Sequence, residues 1–195
     1  MPIKTPIARL SYAKLHTPEQ TNNGKDKYSA MLIFEPGTDL SELEGAAMEA
    51  AIDEYGSKDK LPPAIKKKSL AKGSGWPFRD GEDQDGKDGH EEGGLYINVS
   101  TYGTAPKVVR KEGGVMHKVE EDEIKSGDYV KAMLTAKGFR VDGNRGVTFY
   151  LGNVLFVKAG EALGGGGTDP NNDFEDEDDS EAEDMVEEED DDDIL

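Results

Sequence analysis

Tyr96 and Tyr102 alternate with Leu95, Ile97 and Val99 along one short stretch. Tyr129, Lys131, Lys137 and Phe139 alternate with Val130, Ala132, Leu134 and Ala136 along another. Strict alternation sends successive side chains to opposite faces of a strand. Each stretch therefore sets rings and ammonium groups against an aliphatic face. Exposed rings interleaved with lysines suit the binding of an unpaired nucleic-acid strand. Each ring can stack a base, worth roughly 1–3 kcal/mol, and each ammonium can meet a phosphate. The competing reading is that these rings pack under loops or beneath a helix.

A second cluster joins Lys60, Lys66, Lys67, Lys68, Lys72 and Arg79 to Trp76 and Phe78 on a glycine-flanked segment. A lysine run alone is usually a solvated face. Beside two large rings it becomes a second candidate for phosphate and base contact, and Trp76 packing on the body is the alternative. The acidic stretch from Asp80 to Glu92, with His90, matches no register of a calcium loop, which needs alternating acids, a glycine at the sixth position and a glutamate at the twelfth.

Nothing in the chain reads as catalytic. Its three histidines, His16, His90 and His117, stand apart, and no His-Glu-x-x-His, phosphate-binding loop or Gly-x-Ser-x-Gly occurs. The absence of cysteine removes disulfides, thiolate nucleophiles and thiolate metal sites. No catalytic residue, metal ligand or cofactor is expected.

The elements that must hold these residues are mostly strands. Ile7 to Tyr12 and Lys27 to Glu35 alternate, with the turn signal Asn22-Asn23-Gly24 between them. On the first, Ala8, Leu10 and Tyr12 share a face. On the second, Tyr28, Ala30, Leu32 and Phe34 oppose Met31 and Ile33. Asp39 to Tyr55 is the one solid helix, with an apolar stripe of Leu40, Leu43, Ala47, Met48, Ala51, Ile52 and Tyr55 suited to lie on a sheet. Asp39 with Glu42 suggests a capping box, and Gly56 is placed to end the helix. A short helix can follow Pro62-Pro63. Gly73 to Gly94 reads as a long mobile loop, interrupted by Trp76-Pro77-Phe78-Arg79. Pro106 to Arg110 is a further short strand, and Gly127 to Lys158 a long hairpin turning at Asp142-Gly143-Asn144. Five or more strands with one helix suit a small closed or partly open barrel.

Charge divides the chain. Of its 42 acidic residues, seventeen fall between Gly164 and Leu195, a segment without lysine or arginine. The remaining 25 face all 23 basic residues, so Met1 to Leu163 carries a net −2 and the end carries −17. Such a block cannot bury a core and is expected to be a disordered tail, residues 164–195, on a domain at 1–163. As a flexible coil it spans roughly 30 Å, about the width of a small domain. The N-terminal residues carry no apolar run that reads as a secretory signal, and no stretch approaches membrane-spanning length.

Several ordered blocks resemble the Enc34-like family of phage single-stranded-DNA-binding proteins. They are Gly127-Asp128-Tyr129-Val130-Lys131-Ala132, Gly146-Val147-Thr148-Phe149-Tyr150-Leu151-Gly152-Asn153-Val154, Pro77-Phe78-Arg79-Asp80-Gly81 and Lys27-Tyr28-Ser29-Ala30. The resemblance covers about Ile3 to Leu163. It implies an OB fold and single-stranded DNA binding with little sequence preference. It also implies a role in phage DNA replication, recombination or repair in the host cytoplasm. The end of the chain separately resembles the acidic, hydrophobic-tipped tails of such proteins. That likeness implies that Asp192, Asp193, Ile194 and Leu195 recruit replication or recombination proteins, while the tail competes with DNA. No membrane partner is expected.

The residues expected at the nucleic acid are thus Trp76, Phe78, Arg79, Tyr96, Tyr102, Tyr129, Lys131, Lys137, Phe139, Lys66, Lys67 and Lys68. One rival is an acidic-tailed chaperone or DNA mimic, in which the tail is the active part. Another is a nuclease using acidic metal ligands.

Overall fold

The computed structural model describes residues 1–84, 89–141 and 143–163, the side chains of 83 and 84 excepted. Its strands are β1 (Ile3–Lys4), β2 (Ala8–Gln20), β3 (Asp26–Phe34), β4 (Phe78–Asp80), β5 (Leu95–Tyr102), β6 (Val108–Glu112), β7 (Val115–Lys118), β8 (Tyr129–Val141) and β9 (Asn144–Lys158). Helix α1 (Ser41–Tyr55) and the single turn α2 (Pro63–Lys66) separate β3 from β4.

The strands run in the order β1-β8-β2-β3-β5-β9-β6-β7, with β4 added beside β5 and β8 paired a second time, to β9. That second pairing closes β2, β3, β5, β9 and β8 into a ring. Two seams are short. β2 meets β8 only at Ala8↔Val130 and Arg9↔Tyr129, and β5 meets β9, in parallel, at Val99↔Phe149 and Ser100↔Tyr150. The ring is therefore not a clean barrel, and it is consistent with the partly open five-stranded OB arrangement.

Alternation explains the core. Leu10, Leu32, Phe34, Ile97, Val99, Val130, Leu134 and Phe149 all point inward and are buried. Helix α1 adds Leu43, Ala47, Ala51 and Tyr55 to the same cluster. It can come this close because β8 carries a glycine at the contact. A Cβ on Gly138 would lie 2.3 Å from Glu54 Cβ and 2.7 Å from the Ala50 carbonyl.

The helix ends as its sequence requires. Gly56 adopts φ 84° and returns its N–H to the Ile52 carbonyl at 2.7 Å. The expected capping box at its start does not form. Asp39 instead accepts the Ser41 N–H at 2.9 Å, and hydrogen bonding from Ser41, through its side chain first and its backbone N–H second, holds the Asp39 carboxyl below the usual carboxylate range.

Three local readings need correction. The first strand runs on to Gln20, with register shifts after Ser11 and Lys14. Tyr12 sits in the first shift at φ 46° and is 57% exposed, so it leaves the inward face it was assigned with Ala8 and Leu10. The glycine-rich segment after Gly73 is not all loop, because β4 lies antiparallel on β5 through Phe78↔Ile97, Arg79↔Tyr96 and Asp80↔Leu95. The exposed strand β7, paired to β6 across Gly113-Gly114, was not anticipated. Asp142 of the predicted hairpin turn lies outside the described residues. Among the described residues no helix is long and apolar enough to cross a membrane.

Candidate nucleic-acid interface

Register places a continuous row of small, polar and aromatic residues around the outside of the ring. Lys14 pairs with Ser29, Ser29 with Ser100, Ser100 with Tyr150, and Tyr150 with Thr135. These residues lie on the face opposite the buried Ala30, Val99 and Phe149. On the neighbouring row Lys27 pairs with Tyr102. Tyr102 is 46% exposed and Tyr150 38%. Two open rings thus stand among hydroxyl groups, with lysines at the margin.

In OB folds, nucleic acid lies across the second and third barrel strands, between the first hairpin loop and the last. Here these strands are β3 and β5. The first loop is tied by Thr21, whose N–H and hydroxyl both donate to the Lys25 carbonyl, at 2.9 and 3.0 Å. At the last hairpin Arg140 pairs directly across from Arg145. Arg140 is anchored. Its guanidinium lies 4.4 Å over the Tyr55 ring, and its Nε is 3.3 Å from a Glu54 carboxylate oxygen. Arg145 forms no ion pair with a described acid, and neither do Lys27 and Lys137. Two like charges held opposite each other gain from a shared phosphate. Lys14 is differently placed, since it is already bonded to Glu19. That bond and the Lys14 charge, with Lys27 adding, hold the Glu19 carboxyl below its ordinary range.

The residues singled out from the sequence divide into three groups. Tyr102 lies on the face just described, and Lys137 is exposed on β8 opposite Thr148, next to the Thr135–Tyr150 pair. Phe139 is half-buried opposite Gly146, whose lack of a side chain lets the Phe139 ring and the Gly75 backbone approach.

A second group sits elsewhere on the surface. Lys66 donates to the Asp59 carbonyl at 2.6 Å, Lys68 pairs with Glu44 of α1, and Lys67 is exposed. The lysine run therefore borders α1. Tyr129 and Lys131 project from the start of β8, where Lys158 lies 4.4 Å and Arg9 5.9 Å from the Tyr129 ring centroid. Pro6, Ile7, Ile33, Glu35 and Thr38 complete a cavity of about 350 Å³ beside this cation–aromatic group.

The third group corrects the expectation of open stacking rings. Trp76 is 1% exposed and Phe78 0%, because the segment before β4 folds inward and packs Trp76 on Phe78 and Phe78 edge-on against Phe149. Arg79 points the other way, its guanidinium held by the Trp76 and Phe78 carbonyls and by no described acid. Tyr96 does face outward, but it is 5% exposed, in a small outer cluster with Met31 and Ile33 that Leu163 covers.

Tyr12 and Tyr150 were not singled out. Tyr150 was readable, because it alternates with Phe149 and Leu151. Tyr12 was not, because its exposure depends on the bulge. Among the described residues no group of three or more histidines and acids is placed to share a metal. Asp192, Asp193, Ile194 and Leu195 lie outside the described residues.

Comparison with known proteins adds four similarities. The family model described as "Enterobacter phage Enc34, ssDNA-binding protein" matches residues 1–186. A solved structure of the single-stranded DNA-binding protein from bacteriophage Enc34 in complex with ssDNA is 21% identical. The alignment covers 84% of this chain and 89% of that one, with a TM-score of 0.64. The structure of that protein described without DNA gives 21% identity, 89% coverage of both chains and a TM-score of 0.63. The bacteriophage T7 single-stranded DNA binding protein gp2.5 is 17% identical over 92% of this chain and 95% of its own, with a TM-score of 0.55. No curated protein sequence matches the chain.

Proposed function

The chain belongs to the family of the Enterobacter phage Enc34 ssDNA-binding protein, and from that premise we propose that it binds single-stranded DNA across the outer face of β3, β5 and β9. The observation that carries the placement is the exposed pair Tyr102 and Tyr150 on a row of serines and lysines. Tyr102 and Tyr150 stack bases. Lys27, Lys137 and Arg145 meet phosphates, with Arg79 at the β4 edge. Hydroxyl and ring contacts of this kind read no sequence, which suits a protein that covers unpaired strands during phage replication, recombination or repair in the host cytoplasm. It acts as a binding protein and not as an enzyme.

Residues 164–195 form a separate acidic tail in this reading. Its charge of −17 against a near-neutral body supports a role as a competitor for the phosphate-binding cations. Ile194-Leu195 with Asp192 and Asp193 would then dock on a replication or recombination protein once DNA holds the face.

Titration of labelled oligo-dT tests the reading. The full chain prefers single over double strands, and its log–log salt dependence falls with a slope of about 0.7 per phosphate neutralised. Truncation after Leu163 tightens binding at low salt. A flat salt response, or equal affinity for duplex, removes the proposal.

A further inference from the structure

Outward-facing positions on β3 and β5 are polar toward the Lys27–Tyr102 end and apolar toward the other. Met31 and Ile33 on β3 face outward beside Tyr96 on β5, in register at Met31↔Asn98 and Ile33↔Tyr96. This second cluster is separate from the core. It continues directly from Asn98 and Ser100, and Arg79 pairs with Tyr96 on its far side. An aromatic ring, two aliphatic side chains and a guanidinium with no described acid partner are the surroundings that a base and its phosphate require.

Beside the His90 ring, which meets Tyr96 edge-on with centroids 5.3 Å apart, Leu163 already fills this place. It arrives on a segment without regular secondary structure that leaves β9 at Lys158 and crosses the strands on their outer side. Asp128, 2% exposed, fixes the start of that segment by accepting the Gly160 N–H at 3.0 Å through Oδ1 and the Lys125 N–H at 2.9 Å through Oδ2. Gly127 at φ 112° lets the backbones touch, since a Cβ there would lie 1.8 Å from the Glu161 carbonyl oxygen. Arg9 donates to that carbonyl at 3.1 Å, and the Leu163 N–H donates to the Ser126 carbonyl at 3.0 Å. Beyond Arg9 the hold on Leu163 is one backbone bond and the packing of its isobutyl group, which lies against Gly89 as well as the cluster.

We propose that Met31, Ile33 and Tyr96 form a base-binding subsite, and that Leu163 is its resident occupant, exchanged for a nucleobase when a single strand binds. This rests on the single-strand-binding reading above and extends it by one subsite. The exchange replaces one apolar group by another over the same ring, so the cluster never has to stand open to water. The segment from Ala159 to Leu163 hinges at the Asp128 anchor, and only its distal end moves.

The test uses the full chain and fluorescently labelled oligo-dT, with Leu163→Ala, Tyr96→Ala and the double variant. Removing the occupant tightens binding roughly three- to tenfold, following the apolar area that no longer competes. Tyr96→Ala weakens binding by about fivefold or more, as expected for a lost stacking partner. In the double variant the Leu163 substitution has no further effect, which is the signature of a shared site. Amide exchange on the unsubstituted chain gives a second readout. The Leu163 N–H loses protection when DNA is added, while the Gly160 N–H keeps it. If the chain binds oligo-dT but Leu163→Ala leaves affinity unchanged, or tightens it equally without Tyr96, the subsite is overturned and the single-strand reading stands. Unchanged protection at Leu163 on DNA binding also overturns it. If the unsubstituted chain binds no single strand, both fall together.

Discussion

Tyr150 stands beside Ser100 across the short parallel seam between β5 and β9, and Ser100 in turn stands opposite Ser29. That seam brings an exposed ring from the last strand onto the face that β3 and β5 present. The ring of five strands therefore does more than enclose a core, because one of its two short seams adds a residue to the outer surface.

Tyr150→Ala and Tyr102→Ala should each weaken oligo-dT binding by about 1–3 kcal/mol. Both residues are exposed, Tyr102 at 46% and Tyr150 at 38%, so thermal stability should change less than binding. Anisotropy titrations paired with thermal melts check this. A variant that melts early but binds normally would assign its ring to packing.

Trp76, the one tryptophan of the chain, should report folding and not DNA contact. Its ring is buried against Phe78, so its emission should be blue-shifted and move little on adding oligonucleotide. It should shift red in one cooperative step with denaturant. Trp76→Ala should cost about 3–5 kcal/mol of stability through the cavity it leaves. Strong quenching by DNA at native stability would show that the ring reaches the ligand.

Much of this was legible because alternation is a direct consequence of strand geometry. Val130, Ala132 and Leu134 were expected to face one side, and they line the core. The same periodicity misplaced Tyr12, since a bulge shifts register without leaving a mark in the apolar pattern. It also read Tyr96 correctly as outward yet could not see that Leu163, 67 positions away, covers it. Trp76 and Phe78 looked exposed because glycines surround them. Those glycines let the segment fold tightly inward, with Gly75 lying against the Arg145 and Gly146 backbone. Local composition gave the direction of each strand, and long-range packing decided which rings remained open.

Gly138→Ala should destabilise the protein by about 1–3 kcal/mol, because the added methyl meets Glu54 Cβ and the Ala50 carbonyl and must displace α1 from β8. Chemical denaturation followed at Trp76 measures the loss. Gly113→Ala, with no atom within 4 Å of the added Cβ, separates the two costs of replacing a glycine. Its strain comes from its φ of 55° alone.

Tyr55 should make the fold sensitive to alkali. Burial raises its hydroxyl above the ordinary value of 10.0, against the opposing pull of Arg140. The folded state therefore holds this proton after the unfolded chain has released it. Stability is intact below pH 10 and falls as pH rises beyond it. Tyr55→Phe should remove that dependence. At neutral pH it should be neutral or stabilising by up to about 1 kcal/mol, because the buried hydroxyl has no hydrogen-bond partner among the described residues. Melting curves across pH 8 to 11 for both proteins, at a scale set by the ordinary tyrosine value of about 10, decide the matter.

Glu19 should act as a brake on DNA binding, because it occupies Lys14 at the edge of the serine row. A phosphate reaching Lys14 must displace this carboxylate. Glu19→Gln should therefore tighten oligo-dT binding roughly two- to fivefold at low salt, with the gain fading as salt screens the exposed pair. The pH dependence has a definite sign. Lys14 holds the Glu19 carboxyl below its ordinary value of 4.5, so the pair persists above that value and is lost only as pH falls through the lowered one. At neutral pH the unsubstituted protein thus carries the full brake, and the ratio of variant to unsubstituted affinity should be constant from pH 6 to 8. It should shrink toward one only on acidification below the ordinary glutamate range of about 4.3. Equal affinities at neutral pH would mean that no phosphate comes to Lys14, and the strand would then have to run nearer Arg145 and Lys137.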